Sequence, residues 1–188
     1  MIQILSNSAV RDMAVPVTVE QYHQLSAAGI IAEPTELLRG VIIERMTRSP
    51  RHVYLVRFLN RWLQKHVPAG FHVRKEEPLT LSDSEPEPDL AVVRGEDEDY
   101  RHAHLGNEEF IIEMAFTSLE LDREKGVVYA AAGVPEFWIV IPEEQAVEVY
   151  TSPSAAGYEV MRRHEDIDAQ LTTTVFPKLS LTPRELFA

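Results

Sequence analysis

Two apolar runs, each carrying a single carboxylate, constrain this chain more than any other feature. The first is Asp89 followed by LAVV; the second is FII, then Glu113, then MAF, residues 110–116. Short runs rich in β-branched and aromatic side chains, bounded by turn residues, read as strands buried on both faces. EFWIVI at 136–141 is a third such run. Buried strands need cover on both sides, so the fold class expected is α/β (mixed α+β): a central mixed β-sheet flanked by helices. Within that frame Glu113 is the anomaly. A carboxylate inside a buried strand is costly unless a cation or several donors meet it.

The surrounding segments supply the remaining layers. Residues 16–28 read as a helix, with Thr18 and Gln21 spaced as a capping box and Gly29 as the stop. Residues 36–46 read as a β-hairpin turning at Arg39-Gly40. The main amphipathic helix is expected from Arg51 to His66, with Leu55, Leu59, Trp62 and Leu63 inward and Arg57, Arg61 and Lys65 on another face. Short strands are expected at 71–75 and 78–81, and the polar stretch 95–107 reads as a loop. A helix is expected at 122–132 and half-exposed strands at 146–151 and 158–163, the latter forming additional C-terminal β-hairpins. A last helical turn falls at 183–187. Residues 1–15 read as an N-terminal arm without the basic start and apolar core of a signal peptide. Residues 16–188 read as one domain.

The charge balance restricts partners. The chain of 188 residues carries a net −12 and no cysteine. That excludes disulfides, thiolate metal sites and cysteine nucleophiles, and fits a cytoplasmic location. No apolar run is long enough to span a bilayer, so no membrane partner is expected. Net acidity opposes general nucleic-acid binding. Yet between Arg39 and Lys75 nine Lys and Arg face one acid, Glu44, so this segment is +8 and the remainder −20. Such a segment can form a local footprint for phosphates. The same cations could instead pair with acids elsewhere in the chain, or across a homodimer.

The chemistry concentrates between Glu87 and Lys125. If the strands holding Asp89 and Glu113 are neighbours, the two carboxylates converge. Together with the Met114 backbone carbonyl they could hold Mg²⁺ (or Mn²⁺), which takes one or two carboxylates plus waters and a phosphate oxygen. Asp122, Lys125 and Tyr129 lie three and four residues apart and share a helix face. That face can bring an ammonium to the attacking water or the scissile phosphate. Glu36, at the mouth of the hairpin, is a further acid. A plain buried Glu113–Lys125 ion pair would leave the same pattern, and the residues alone do not separate the two.

The pattern ELLRG and IIE, SPRH at a helix start, PEPDLAVV, IIEMAF and LDREKGVVYAAAGVPEFWIV resembles the Uma2 (DUF820) family of the PD-(D/E)xK restriction-endonuclease-like superfamily. The resemblance runs from about Thr18 to the C-terminus. It is most specific from Asp122 to Trp138. It implies a restriction-endonuclease-like sheet, a metal-dependent endonuclease acting on DNA, and catalytic roles for Asp89, Glu113, Lys125 and Glu36. Arg51, His52, Arg57 and Arg61 would face nucleic acid, with Asp122 and Tyr129 in support. Ala115 stands where the superfamily lysine usually lies, two residues after the acid, so the resemblance implies that Lys125 takes that role from the helix. Two further departures are Arg39 in place of Asp at the first turn, and Phe116-Thr117-Ser118-Leu119 in place of a Ser-Pro-Ser-Thr loop. The competing expectations are a catalytically inactive member acting as a binding or oligomeric module, and a nuclease of RNA or structured ends.

Overall fold

The computed structural model of the chain describes residues 7–11, 13–31, 34–95, 97–100 and 108–188. After a single helical turn, α1 (Ser8–Arg11), helix α2 (Val19–Ala27) begins at Thr18, whose side chain accepts from the Gln21 N–H while Gln21 reciprocates. Hairpin β1 (Thr35–Leu38) and β2 (Val41–Glu44) turns at Arg39 and Gly40, both at positive φ. Gly40 is also needed for space: a Cβ there would lie 2.3 Å from Pro16 Cβ. Helix α3 (Pro50–His66) is capped by Ser49, whose hydroxyl accepts from the His52 N–H, and Pro50 occupies the first turn, where no amide partner is lost.

The central sheet contains β3 (Phe71–Lys75), β4 (Leu90–Arg94), β5 (Glu108–Met114), β6 (Glu136–Ile141), β7 (Ala146–Ser154) and β8 (Gly157–His164), in that spatial order. All neighbours are antiparallel except β5 and β6. That parallel pair is joined by helix α4 (Leu119–Ala131), as a parallel connection requires. The mixed sheet flanked by helices is therefore as expected.

Alternation along β5 divides the core. Phe110, Ile112 and Met114 pack with Leu55, Leu59 and Leu63 of α3. Ile111 and Ala115 pack on the other face with Tyr129 of α4 and with Phe137 and Ile139. Glu113 shares this second face. Helix α4 sits close to it: a Cβ on Gly126 would lie 2.8 Å from the Phe137 ring. A second antiparallel pair, β9 (Leu171–Thr172) and β10 (Ser180–Leu181), with α5 (Pro183–Phe187), closes over the α3 side.

Some local expectations are corrected. Residues 78–81 are not a strand. Pro78 brings no amide, and the chain folds back so that Leu79 N–H donates to Pro86 C=O and Leu81 N–H to Ser84 C=O. Helix α4 starts at Leu119, three residues before the expected Asp122, so Asp122 lies in its first turn. The stretch 95–107 contains a 3₁₀ turn at Asp97–Tyr100; residues 96 and 101–107 lie outside the described residues, as do 1–6 and 12 of the chain start and Glu33 before the hairpin. Among the described residues no helix is long and apolar enough to cross a membrane.

Candidate active site

The β4–β5 register pairs Leu90 with Ile112 and Ala91 with Ile111. One step further places Asp89 opposite Glu113, on the face under α4. The two side chains take over where the ladder ends. Asp89 N–H donates to Glu113 Oε2 at 3.2 Å, and Met114 N–H donates to Asp89 Oδ2 at 2.8 Å. Both residues are buried, at 7 % and 3 % exposure. Pro88, which carries no amide donor, immediately precedes this crossing.

Helix α4 brings the other charges. Lys125 Nζ lies 3.2 Å from Glu113 Oε1 and 2.8 Å from Glu36 Oε2, so it bridges the sheet and the hairpin. One turn on, the Tyr129 hydroxyl donates to Glu113 Oε1 at 2.8 Å. Asp122 is held by the Ser118 hydroxyl at 2.6 Å. On the opposite flank His52 Nε2 lies 3.0 Å from Asp89 Oδ1, with its ring 5.9 Å from that of Phe116. Arg45 reaches Glu36 at 3.2 Å and also pairs with Glu87. Glu36, Arg45, Arg48, His52, Asp89, Glu113, Met114, Phe116, Asp122 and Lys125 line one cleft of about 490 Å³.

The electrostatics of this cleft are unbalanced. Burial pushes the Glu113 carboxyl up to about 8; Lys125 counters this only in part, and Asp89, Asp122 and Glu36 add to it. Burial likewise raises Asp122 to about 6 against the pull of Lys125 and Ser118. For Lys125 burial opposes the charge, but Glu113, Glu36 and Asp122 outweigh it and hold the ammonium above its usual range. Tyr129 is raised by burial and by Glu113. Lys125 is thus a fixed cation, suited to stabilising negative charge and not to accepting a proton. The donor set fits a hard divalent cation. Asp89 and Glu113 offer carboxylate oxygens to one cleft, and the cations present leave Glu113 undercompensated.

Eight of the residues singled out in the sequence meet here: Glu36, His52, Asp89, Glu113, Met114, Asp122, Lys125 and Tyr129. Three do not. Arg57 and Arg61 are exposed on α3 and do not line the cleft, while Arg51 is tied to Glu143 at 2.7 Å and to the Pro142 carbonyl at 3.2 Å. Beside Lys125, two arginines line it, Arg45 and Arg48, and neither was singled out. The hairpin carried a signal for the first. Its register pairs Glu36 with Ile43, so Arg45 falls diagonally across from Glu36 on the same face. Glu76 was also overlooked; a donor atom of His52, of Glu76 and of Asp89 all lie within 4.8 Å of one another, the one such group among the described residues.

The chain matches the family Uma2, described as "Putative restriction endonuclease", over residues 19–184. Its fold is similar to the crystal structure of a "putative nuclease belonging to DUF820" from Anabaena variabilis, with a TM-score of 0.75 at 19 % identity, covering 92 % of this chain and 98 % of that one. None of the curated proteins matches the chain.

Proposed function

Because the chain belongs to the Uma2 family, we propose that its cleft is a divalent-cation-dependent site for hydrolysing DNA phosphodiester bonds, carried by residues 16–188 as one domain. One observation carries this reading: Asp89 and Glu113 face each other across two strands while Lys125 bridges Glu113 and Glu36. Asp89, Glu113 and the Met114 carbonyl would hold Mg²⁺ or Mn²⁺. When bound, such an ion supplies a water of lowered pKa and offsets phosphate charge. Lys125, held charged by its neighbours, stabilises the extra negative charge of the pentacovalent phosphorus. Tyr129 and the Asp89 amide orient the Glu113 carboxylate. Glu36 and Asp122 keep the Lys125 ammonium in place, and Arg45 and Arg48 offer the cleft's positive charge to the flanking phosphates.

The test is nicking of supercoiled plasmid with Mg²⁺ or Mn²⁺ by wild type, Asp89→Ala and Glu113→Ala, with single-stranded RNA and branched DNA as further substrates. Cleavage by wild type and its loss in both variants is expected. Cleavage surviving in both variants would place the chemistry elsewhere. Preferential cutting of RNA or branched DNA would reassign the substrate. A second reading is favoured by Phe116, which stands over His52 in the cleft wall, and by the net −12. In that reading the protein is an inactive member that binds a partner, alone or as a homodimer. It predicts no cleavage by wild type, and no rise in melting temperature with Mn²⁺.

A further inference from the structure

No acid lies between Glu44 and Glu76, although the chain carries 30 Asp and Glu. Helix α3 fills the middle of that gap, and its 17 residues hold four cations without one carboxylate. Arg51, at its head, is tied to Glu143. Arg57, Arg61 and Lys65 are exposed, and among the described residues none of the three is ion-paired. Cations elsewhere are treated differently: Arg45, Arg48, Arg94, Arg123, Arg163 and Arg184 each meet a carboxylate.

The three free cations recur every four residues, so they form one row with about 6 Å of rise between neighbours. At about 100° per residue they lie roughly 140° to 220° round the helix from His52, which faces Asp89. The row is therefore on the far side of α3 from the cleft, a helix width of about 10–12 Å away. Leu55, Val56, Leu59 and Leu63 bury the inner side, so the row stands on a fixed element. Like charges four residues apart repel and weaken the helix that carries them. An anion lying along the helix would relieve that repulsion.

We propose that Arg57, Arg61 and Lys65 form a binding surface for the phosphate backbone of a nucleic acid, separate from the cleft. A regular line of charge suits a regular polyanion. The row spans about 12 Å, the length of roughly three to four phosphates of one DNA strand at about 3.4 Å each. Phosphate contacts need charge and spacing, with no apolar anchor. A protein partner would need an apolar patch inside a polar rim, and Tyr54 is the one exposed large hydrophobic side chain on α3. A second copy of this helix would set the row against itself, like charge on like charge. The surface goes beyond the nuclease reading, since holding phosphates there requires neither the cleft nor cleavage.

Fluorescence anisotropy of labelled DNA, duplex and single-stranded, with the full chain in EDTA tests this, read from about 50 to 200 mM salt. The variant combines Arg57→Gln, Arg61→Gln and Lys65→Gln; these exposed positions leave the core alone, and circular dichroism checks its fold. Losing three phosphate contacts should make the slope of log K against log salt shallower by about 2.7 for duplex and about 2 for single strands. Across that salt range wild type should then lose roughly 40-fold more affinity for duplex than the variant loses. Equal slopes in the two proteins, or no DNA binding by wild type, would overturn the surface; plasmid cleavage abolished by Asp89→Ala would still leave the nuclease reading standing. Row-dependent DNA binding by a wild type that cuts no plasmid would uphold the surface and overturn the nuclease reading. Binding of labelled polyglutamate through the row, with none of DNA, would assign it to an acidic protein and overturn the proposal.

Discussion

Glu113 and Glu148 lie in one cross-strand row, two strands apart with Ile139 between them, and α4 covers both. Each is buried, and their surroundings are opposite. Glu148 receives Arg123 at 2.6 Å, Arg163 at 3.0 Å and the Tyr150 hydroxyl at 2.6 Å. Burial would raise its carboxyl, but those hydrogen bonds win and hold it below the usual range. Glu113 has one ammonium, shared with Glu36, and three acids nearby, so burial wins and its carboxyl rises. An overcompensated glutamate is a clamp between strand and helix. An undercompensated one leaves room for another cation, and Glu113 lines the cleft.

Removing the shared cation should separate the two regions most. Lys125→Met removes the ammonium that Glu113, Glu36 and Asp122 share and leaves Glu36 with Arg45 alone. Breaking a buried pair from one side costs about 3–5 kcal/mol, so the melting temperature of the metal-free variant should fall clearly at pH 8. Divalent cations should restore part of it. If the nuclease reading holds, plasmid cleavage should drop roughly 10²–10³-fold, the usual effect of deleting a group that stabilises transition-state charge. An unchanged cleavage rate would confine Lys125 to a structural role.

Next comes the paired substitution of the two glutamates. Glu148→Gln strands two guanidinium groups that are part exposed, and hydrogen bonds to charged groups are worth about 1.5–3 kcal/mol; chemical denaturation should show a loss in that range, with cation binding intact. Glu113→Gln should be neutral or stabilising at pH 8 without metal, and should abolish the rise in melting temperature on adding Mg²⁺. Equal destabilisation by both would mean that Glu113 is a second clamp. Gly126→Ala should act on both regions alike, because its Cβ would press on Phe137 beneath α4. Overpacking costs roughly 1–3 kcal/mol, so a denaturation midpoint lowered by that much, together with weaker cleavage, is expected.

The sheet and most of the cleft were legible because period-2 and period-3.6 patterns carry them. Glu113 interrupts an apolar strand, and Asp122, Lys125 and Tyr129 recur on one helix face. Glu36 stands out locally as an acid at the mouth of the hairpin; the family resemblance draws it into the cluster. That Arg57 does not line the cleft has a geometric cause. Arg57 follows His52 by five residues, about 140° round the helix, so a helix that aims His52 at Asp89 turns Arg57 outward. Arg45 and Glu76 depended on register, and register is set by pairing between segments distant in sequence. Glu76 also adopts a left-handed backbone that no local residue pattern signals. The turn at 78–86 hid behind an apolar residue, Leu79, whose amide is satisfied by Pro86 and not by a strand.

The smallest effect expected is on the pH profile of stability, and it distinguishes the two glutamates by sign. Glu113 and Asp122 have folded values, about 8 and about 6, above their ordinary ones. A raised carboxyl contributes stability that is complete below its unfolded value and is lost as pH rises through the folded value. The metal-free protein should therefore lose stability gradually from about pH 4 to pH 8 through these groups. Glu148, held low, contributes the reverse: stability present above its unfolded value and lost as pH falls. Melting temperatures measured across pH 5–9 should thus slope downward in wild type. The slope should flatten above pH 6 in Glu113→Gln, and also when Mg²⁺ is added, because a cation favours the carboxylate. Glu148→Gln should lower the whole pH 5–9 profile, leave that upper slope unchanged and flatten only the fall in stability towards acid below about pH 4. A slope that survives in Glu113→Gln would assign the titration to another group and remove the distinction between poised and clamped glutamates.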